Sequence, residues 1–201
     1  MAAPQTLLEL AGLTPTPPPL TSAALVMIDC QREYVDGALP LAGVETALAE
    51  GARLLGLARD HGVPIIHVRH RGRPGGLFDP DGRAYEIAGP TAPEPGETVI
   101  DKALPNAFAG TELDEALKEL GRTRLIVAGF MTHLCVSSTV RAALDLGYGC
   151  AVVAAACATR DLPDTNGGTV PAANVHRAEL AALGDRFATI VADSRGLGTD
   201  G

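Results

Sequence analysis

The stretch "VAGFMTHLCVSSTVRAALDLGYGCAVVAAA", from Val127 to Ala156, holds an apolar run, a break of small residues, a segment of helical period and a second apolar run. Neither apolar run alternates with polar residues, so each reads as a strand buried on both faces. That pattern belongs to parallel strands joined by a covering helix. Working outward, the unit repeats. "ALVMID" (24–29), "VPIIHVRH" (63–70), "TVIDKAL" (98–104), "RLIVAGF" (124–130), "CAVVAAA" (150–156) and "ATIVADS" (188–194) read as strands. Between them, "GVETALAEGARLLGLARDHG" places Val44, Leu48, Gly51, Leu55 and Ala58 on one helical stripe. "TELDEALKELG" is a helix opened by a Thr111 cap and closed by Gly121, and 133–147 and 171–185 complete the helices. These elements predict a doubly wound, three-layer αβα fold around a mostly parallel sheet of about six strands.

The chain has 201 residues, enough for one domain that folds on hydrophobic burial without metal or disulfide staples. Its net charge is −8, and its only lysines are Lys102 and Lys118. Such a balance speaks against nucleic-acid or anionic-membrane partners and for a small molecule. Cys30, Cys135, Cys150 and Cys157 form no CxxC pair, which suits a reducing cytoplasm. Residues 1–21, with a proline cluster over 15–19, lack the basic start and long apolar run of a signal peptide or membrane span. They read as an extended arm, either packed on a neighbouring subunit or free, ahead of a domain at 22–195 and a tail at 196–201. The Gly- and Pro-rich segment 71–97 is too long for an ordinary connection and reads as a lid or a subunit contact.

In a doubly wound sheet the ligand crevice lies at the C-terminal ends of the strands. Asp29 ends the first strand, Lys102 lies within the third, and Cys135 follows the fourth. Each has a bland reading: Asp29 caps a turn, Lys102 is a solvated lysine, Cys135 is a small buried hydrophobe. Together they suggest acyl-transfer hydrolysis. A cysteine attacks as its thiolate, and a position in a helix's first turn beside a lysine ammonium is expected to lower its pKa. Asp29 is placed to act as general base, and backbone N–H groups near Met131 and Cys135 to hold an oxyanion. Gln31 is placed among the substrate contacts, hydrogen-bonding near the base, and Tyr34 and Phe108 to line an apolar substrate pocket or simply to pack the core. His133, in the turn before Cys135, is a candidate substrate contact. Cys30, Cys150 and Cys157 read as structural, as does His176. His67 and His70 are three apart in a strand and face opposite sides, a poor metal pair. The "GRPGG" run lacks the lysine and hydroxyl of a phosphate loop.

"ALVMIDCQREY", "VIDKALPNAFAGTEL" and "VAGFMTHLCVSSTVRAALDLGY" resemble, in order, the three motifs of the isochorismatase-like cysteine hydrolases. The resemblance spans roughly residues 22–195 and implies a catalytic triad of Asp29, Lys102 and Cys135, with a non-proline cis peptide at Phe130-Met131 beside the oxyanion site. Nicotinamidase-like members carry a D-x-H metal motif after the second strand; here "HVRHRGRPGG" sets His70 and Gly72 at those positions, so no metal and no cofactor are expected. Members that cleave the vinyl ether of isochorismate lack the cysteine. The presence of Cys135 points instead to C–N cleavage of a small amide or carbamoyl compound through a thioester. Ether hydrolysis by Asp29 and Lys102, and a non-catalytic binding or redox-sensing protein, stand as alternatives. The resemblance also implies a homo-oligomer, a dimer or larger. Selectivity is expected in 71–97, around Phe78 and Tyr85, and in 160–170, with Arg69, Arg83 and Arg160 as candidate holders of a substrate carboxylate.

Overall fold

A computed structural model describes residues 3–198. In chain order the elements are α1 (Leu7–Leu10), β1 (Ala24–Ile28), α2 (Val44–Asp60), β2 (Ile65–His70), β3 (Thr98–Lys102), α3 (Leu113–Glu119), β4 (Arg124–Phe130), α4 (Ser137–Asp145), β5 (Gly149–Ala158), β6 (Leu162–Pro163), β7 (Thr169–Val170), α5 (Ala172–Arg186) and β8 (Ala188–Val191). Six strands form one sheet in the order β3-β2-β1-β4-β5-β8, every neighbouring pair parallel. The expected doubly wound architecture is therefore present. The chain first runs outward from β1 to β3, then restarts on the other side of β1 with β4, so the topological switch lies between β1 and β4.

The pleat sorts the strand residues into two cores. Leu25, Met27, Ile126 and Ala128 face α2, whose Leu48, Leu54, Leu55 and Ala58 cover them. Val26, Ile28, Ile66, Leu125 and Val127 face the opposite layer, packed by Leu113 and Leu117 of α3, Val140 and Ala143 of α4, and Leu183 of α5. Burying one such aliphatic side chain is worth about 1.5–3 kcal/mol. This two-sided demand explains why the strands are apolar throughout.

Several local features depart from the periodic reading. The helix expected over 133–147 starts as a π-helical turn at Thr132–Val136 and becomes α4 only at Ser137. Val136 N donates to Met131 O at 3.2 Å, an i→i−5 bond to which side-chain periodicity is blind. Helix α3 starts at Leu113, and Thr111 serves it from one position farther out: its Oγ1 accepts from Leu113 N at 3.3 Å while donating to Ala107 O. The arm is not simply extended. Its short α1 turn carries a Thr6–Glu9 capping box, and Leu7 N donates to Asp185 Oδ1 of α5 at 2.8 Å. Of the expected tail at 196–201, residues 196–198 are described, with Leu197 buried and Gly198 O accepting from Leu20 N at 3.3 Å, and 199–201 lie outside the described residues.

Near the switch point the backbones of β1 and β4 close on each other. Gly129 has φ 121°, and a Cβ built there would stand 1.9 Å from Ile28 O. No side chain fits, and the left-handed φ disfavours any L-residue as well. We expect Gly129→Ala to destabilise the fold by about 3 kcal/mol or more, overpacking and backbone strain combined. A urea unfolding midpoint unchanged from wild type would show that the two strands can separate at no cost.

Candidate active site

Beyond Ile28 the chain turns sharply at Asp29, which takes a left-handed φ of 50° that aspartate tolerates better than most residues. Asp29 N still donates to Val68 O at 2.8 Å, so the turn stays tied to β2. Gln31 locks it. Its Nε2 donates to His70 O and Tyr85 O, both at 2.9 Å, and its Oε1 accepts from His70 N at 2.8 Å. Placed among the substrate contacts by its sequence position, Gln31 is instead a fully buried clamp that fixes the loop carrying Asp29.

Lys102, at the end of β3, sends its side chain past the end of β2 into this turn. Its Nζ lies 2.7 Å from Asp29 Oδ2, 3.3 Å from Cys135 Sγ and 3.2 Å from His70 Nδ1. Neither side chain of the Asp29–Lys102 pair is exposed at all (0% each). Asp29 Oδ1 is buried with no hydrogen-bond partner among the described residues. The carboxylate lies beside the thiol and is placed to accept its proton. The expected convergence of Asp29, Lys102 and Cys135 from three strands on one rim is realised in the geometry, and the Phe130-Met131 peptide is cis.

The electrostatics differ from the expected ones. Burial, with the neighbouring Asp29 charge adding to it, pushes the Cys135 thiol up to about 12 against the opposing pull of Lys102. A lowered thiol pKa was expected from a helix's first turn. Cys135 lies in the π turn ahead of α4, and a buried thiol flanked by a carboxylate loses more from desolvation than one ammonium returns. Burial likewise raises the Asp29 carboxyl, with Lys102 lowering it in part. The site thus sets a protonated thiol beside the 2.7 Å contact of Asp29 and Lys102.

His70 is a member of this cluster that the sequence reading missed. Burial and the Lys102 charge hold its pKa down to about 4, so it is neutral at pH 7. Its Nδ1 then accepts from the ammonium, which places the ring proton on Nε2. His70 ends β2 as Asp29 follows β1 and Lys102 ends β3, so reading the polar residue at each strand end, applied to every strand, would have found it. Asp29, His70 and Cys135 each offer a potential metal-ligand atom, all within 4.8 Å of one another. Yet Lys102 Nζ already lies within 3.3 Å of an atom of each. A second cation does not fit beside the ammonium, and the donor set is a poor metal site.

Around the cluster, Tyr34 is buried with its ring edge-on to Phe78 and Phe130, at 5.1 and 5.8 Å. Phe78 also packs on His70 at 5.0 Å, so segment 71–97 forms a wall of the site. Glu33 anchors that wall: its carboxylate accepts from Phe78 N at 3.0 Å and Ala38 N at 2.7 Å. His133 Nδ1 is 2.5 Å from Thr159 Oγ1, and Thr132 Oγ1 is 2.9 Å from His176 Nδ1, so both histidines brace the turn that carries Cys135. Phe108 is not with them. Its ring stacks on Tyr148, just before β5, where the loop after β3 folds back towards α3. His67 bonds Glu97 at 2.9 Å, away from the site. A groove of about 600 Å³ lies beside the far half of β5 and is lined mostly by alanines. The buried ion pair lies elsewhere, at the Asp29 turn.

The Isochorismatase domain family model matches residues 23–193. An isochorismatase from Pseudomonas putida, of known crystal structure, is 48% identical, with a TM-score of 0.93 over 98% of this chain and 100% of that one. The isochorismatase family protein YddQ of Bacillus subtilis is 40% identical over 84% of this chain and 95% of its own length. Streptothricin hydrolase of Streptomyces noursei is 36% identical over 81% of this chain and 59% of its own. Amidohydrolases are also among the relatives, with maleamate amidohydrolase of Pseudomonas putida 30% identical over 65% of this chain and 69% of its own.

Proposed function

Because the chain belongs to the isochorismatase family of hydrolases, we propose that it cleaves the C–N bond of a small amide or carbamoyl compound through a thioester on Cys135, without a metal. The observation that carries this reading is the buried contact of Lys102 with both Asp29 and Cys135, at 2.7 and 3.3 Å. In this reading the thiol proton passes to Asp29 as Sγ bonds to the carbonyl carbon, so a free thiolate need not accumulate. The carbonyl oxygen becomes an oxyanion, held by the N–H groups of Met131 and Cys135 at the turn that begins with Phe130. Lys102 balances the negative charge as it moves between carboxylate, sulfur and substrate. Collapse breaks the C–N bond, and the departing amine takes the proton from Asp29. Water then attacks the thioester, giving a proton to Asp29 and releasing the acid, and the thiol is restored.

Tyr34 supplies an apolar wall and His133 a contact at the mouth. A redox-sensing role fits less well, because a buried, protonated thiol is a poor target for oxidants. Four free cysteines favour a cytoplasmic setting. No helix among the described residues is long and apolar enough to cross a membrane, and the acidic charge disfavours nucleic acid. The exposed Leu7, Leu10 and Leu13 of the arm support assembly into a homo-oligomer.

The test is intact-protein mass spectrometry after rapid mixing with a panel of small amides and carbamoyl compounds. An acyl adduct that maps to Cys135 and decays as acid is released is expected. Turnover of an amide with neither an adduct nor a burst of amine would sink the thioester.

A further inference from the structure

Resting on the amide-hydrolase reading, we infer that His70 is a positioning residue: its Nδ1 holds the Lys102 ammonium against Cys135, so that the charge needed during attack on the carbonyl stands in place before the substrate arrives.

An ammonium carries three N–H groups on a flexible four-carbon stem. Three groups surround that of Lys102. Its Nζ hydrogen-bonds Cys135 Sγ at 3.3 Å and His70 Nδ1 at 3.2 Å, and stands 2.7 Å from Asp29 Oδ2. Asp29 alone would fix the distance to one carboxylate and leave the stem free to pivot about it. Cys135 is a weak acceptor while its sulfur is a thiol. His70 is the third point, and the one that sets direction. Its lack of charge matters as much as its place. A carboxylate in its stead would match the ammonium a second time and leave less of that charge for the sulfur and the oxyanion. Burial and Lys102 itself keep the ring uncharged at pH 7.

The ring is mounted for this task. His70 pairs with Lys102 across β2 and β3, which puts both side chains on one face of the sheet. Both backbone polar groups of His70 are taken by Gln31, its N donating at 2.8 Å and its O accepting at 2.9 Å. The ring meets Phe78 edge-on at 5.0 Å, and Phe78 N is in turn held by the buried Glu33 at 3.0 Å. Main chain and ring are thus fixed by separate segments, the Asp29 turn and the 71–97 wall. A histidine that only packed on Phe78 would need no nitrogen facing the lysine.

The test uses His70→Leu, which fills the space without an acceptor, and His70→Asn, whose amide oxygen can stand near the place of Nδ1. The first measurement is the rate of Cys135 alkylation by iodoacetamide at about pH 9, read by mass spectrometry, which needs no substrate. His70→Leu is expected to slow it by about three- to tenfold, because the thiolate loses a well-held counter-charge, and His70→Asn to stay within about twofold of wild type. In a Lys102→Met background His70→Leu should have no further effect, since the ring acts through the lysine. The second measurement is hydrolysis of any amide the protein turns over. There His70→Leu should lower kcat by about ten- to a hundredfold and move KM by less than about threefold, with most of the loss restored in His70→Asn. Alkylation and kcat unaltered in His70→Leu, equal losses in His70→Leu and His70→Asn, or a loss just as large without Lys102 overturns the assignment. Should His70→Leu fail to fold, His70→Ala takes its place and is read against His70→Asn in the same way. Alkylation that depends on His70 through Lys102, in a protein that forms no acyl adduct with any amide, upholds the positioning role and defeats only the thioester. An acyl adduct whose formation and turnover are indifferent to His70 defeats only the positioning role.

Discussion

Cys135→Ala is expected to lose amide hydrolysis by at least about 10⁴-fold, the scale seen when a covalent nucleophile is removed, while the fold survives. The side chain is small and buried, and trimming its sulfur is expected to cost about 1 kcal/mol, well within a domain's reserve. Cys135→Ser should be nearly as inactive: the hydroxyl fills the space but is a harder nucleophile to ionise beside Asp29. The same variants separate thioester chemistry from ether hydrolysis. If Asp29 and Lys102 cleaved a vinyl ether without a nucleophile, Cys135→Ala would retain turnover of isochorismate, which a coupled optical assay detects. The pH behaviour adds an independent check. With the thiol pushed up to about 12, alkylation by iodoacetamide should be slow at neutral pH and accelerate towards that value. Hydrolysis, in which Asp29 accepts the proton during attack, should already proceed near pH 7. A hydrolysis rate that rises in step with alkylation up to alkaline pH would mean that Asp29 does not act as the base.

Much of this site is legible in the sequence because its parts obey a rule of topology. Residues at the C-terminal ends of parallel strands meet at the switch point, and Asp29, Lys102 and Cys135 could be placed there from apolar runs alone. What escaped is physical in each case. The direction of the Cys135 shift depends on how far burial outweighs one ammonium, and spacing carries no desolvation term. His70 was weighed only as a metal ligand, with His67 or at the D-x-H position, although its neighbour in the sheet is Lys102 itself, a register that emerges only when β2 and β3 pair. Gln31 and Phe108 lie in the right motifs, but their partners, the backbone of His70 and Tyr85 and the ring of Tyr148, come from distant segments. The π turn is a difference in hydrogen-bond ladder that a helical pattern cannot display.

Lys102→Ala is expected to be the most destabilising of the site substitutions, because it leaves the Asp29 carboxylate buried without its counter-charge. Breaking one side of a buried pair typically costs about 3–5 kcal/mol. The cost has a pH signature whose sign follows from linkage. Asp29 is already raised by burial, and without the ammonium it rises further, so the folded variant binds a proton that the unfolded chain has released. A group raised in the folded state contributes stability that is lost as pH increases through its folded pKa. Lys102→Ala should therefore be most stable at acid pH and weaken as pH rises towards neutrality and beyond. Asp29→Asn removes the carboxyl whose titration sets this slope and strands the ammonium instead, so it should not weaken as pH rises in the way Lys102→Ala does. The double variant Asp29→Asn/Lys102→Met carries neither charge and should recover most of the stability while remaining inactive, since the base and the cation are both gone. Chemical denaturation of all four chains across pH reads these slopes directly. A Lys102→Ala profile that does not fall with rising pH, or a double variant as unstable as the sum of both, would mean that Asp29 and Lys102 are not a coupled pair in solution.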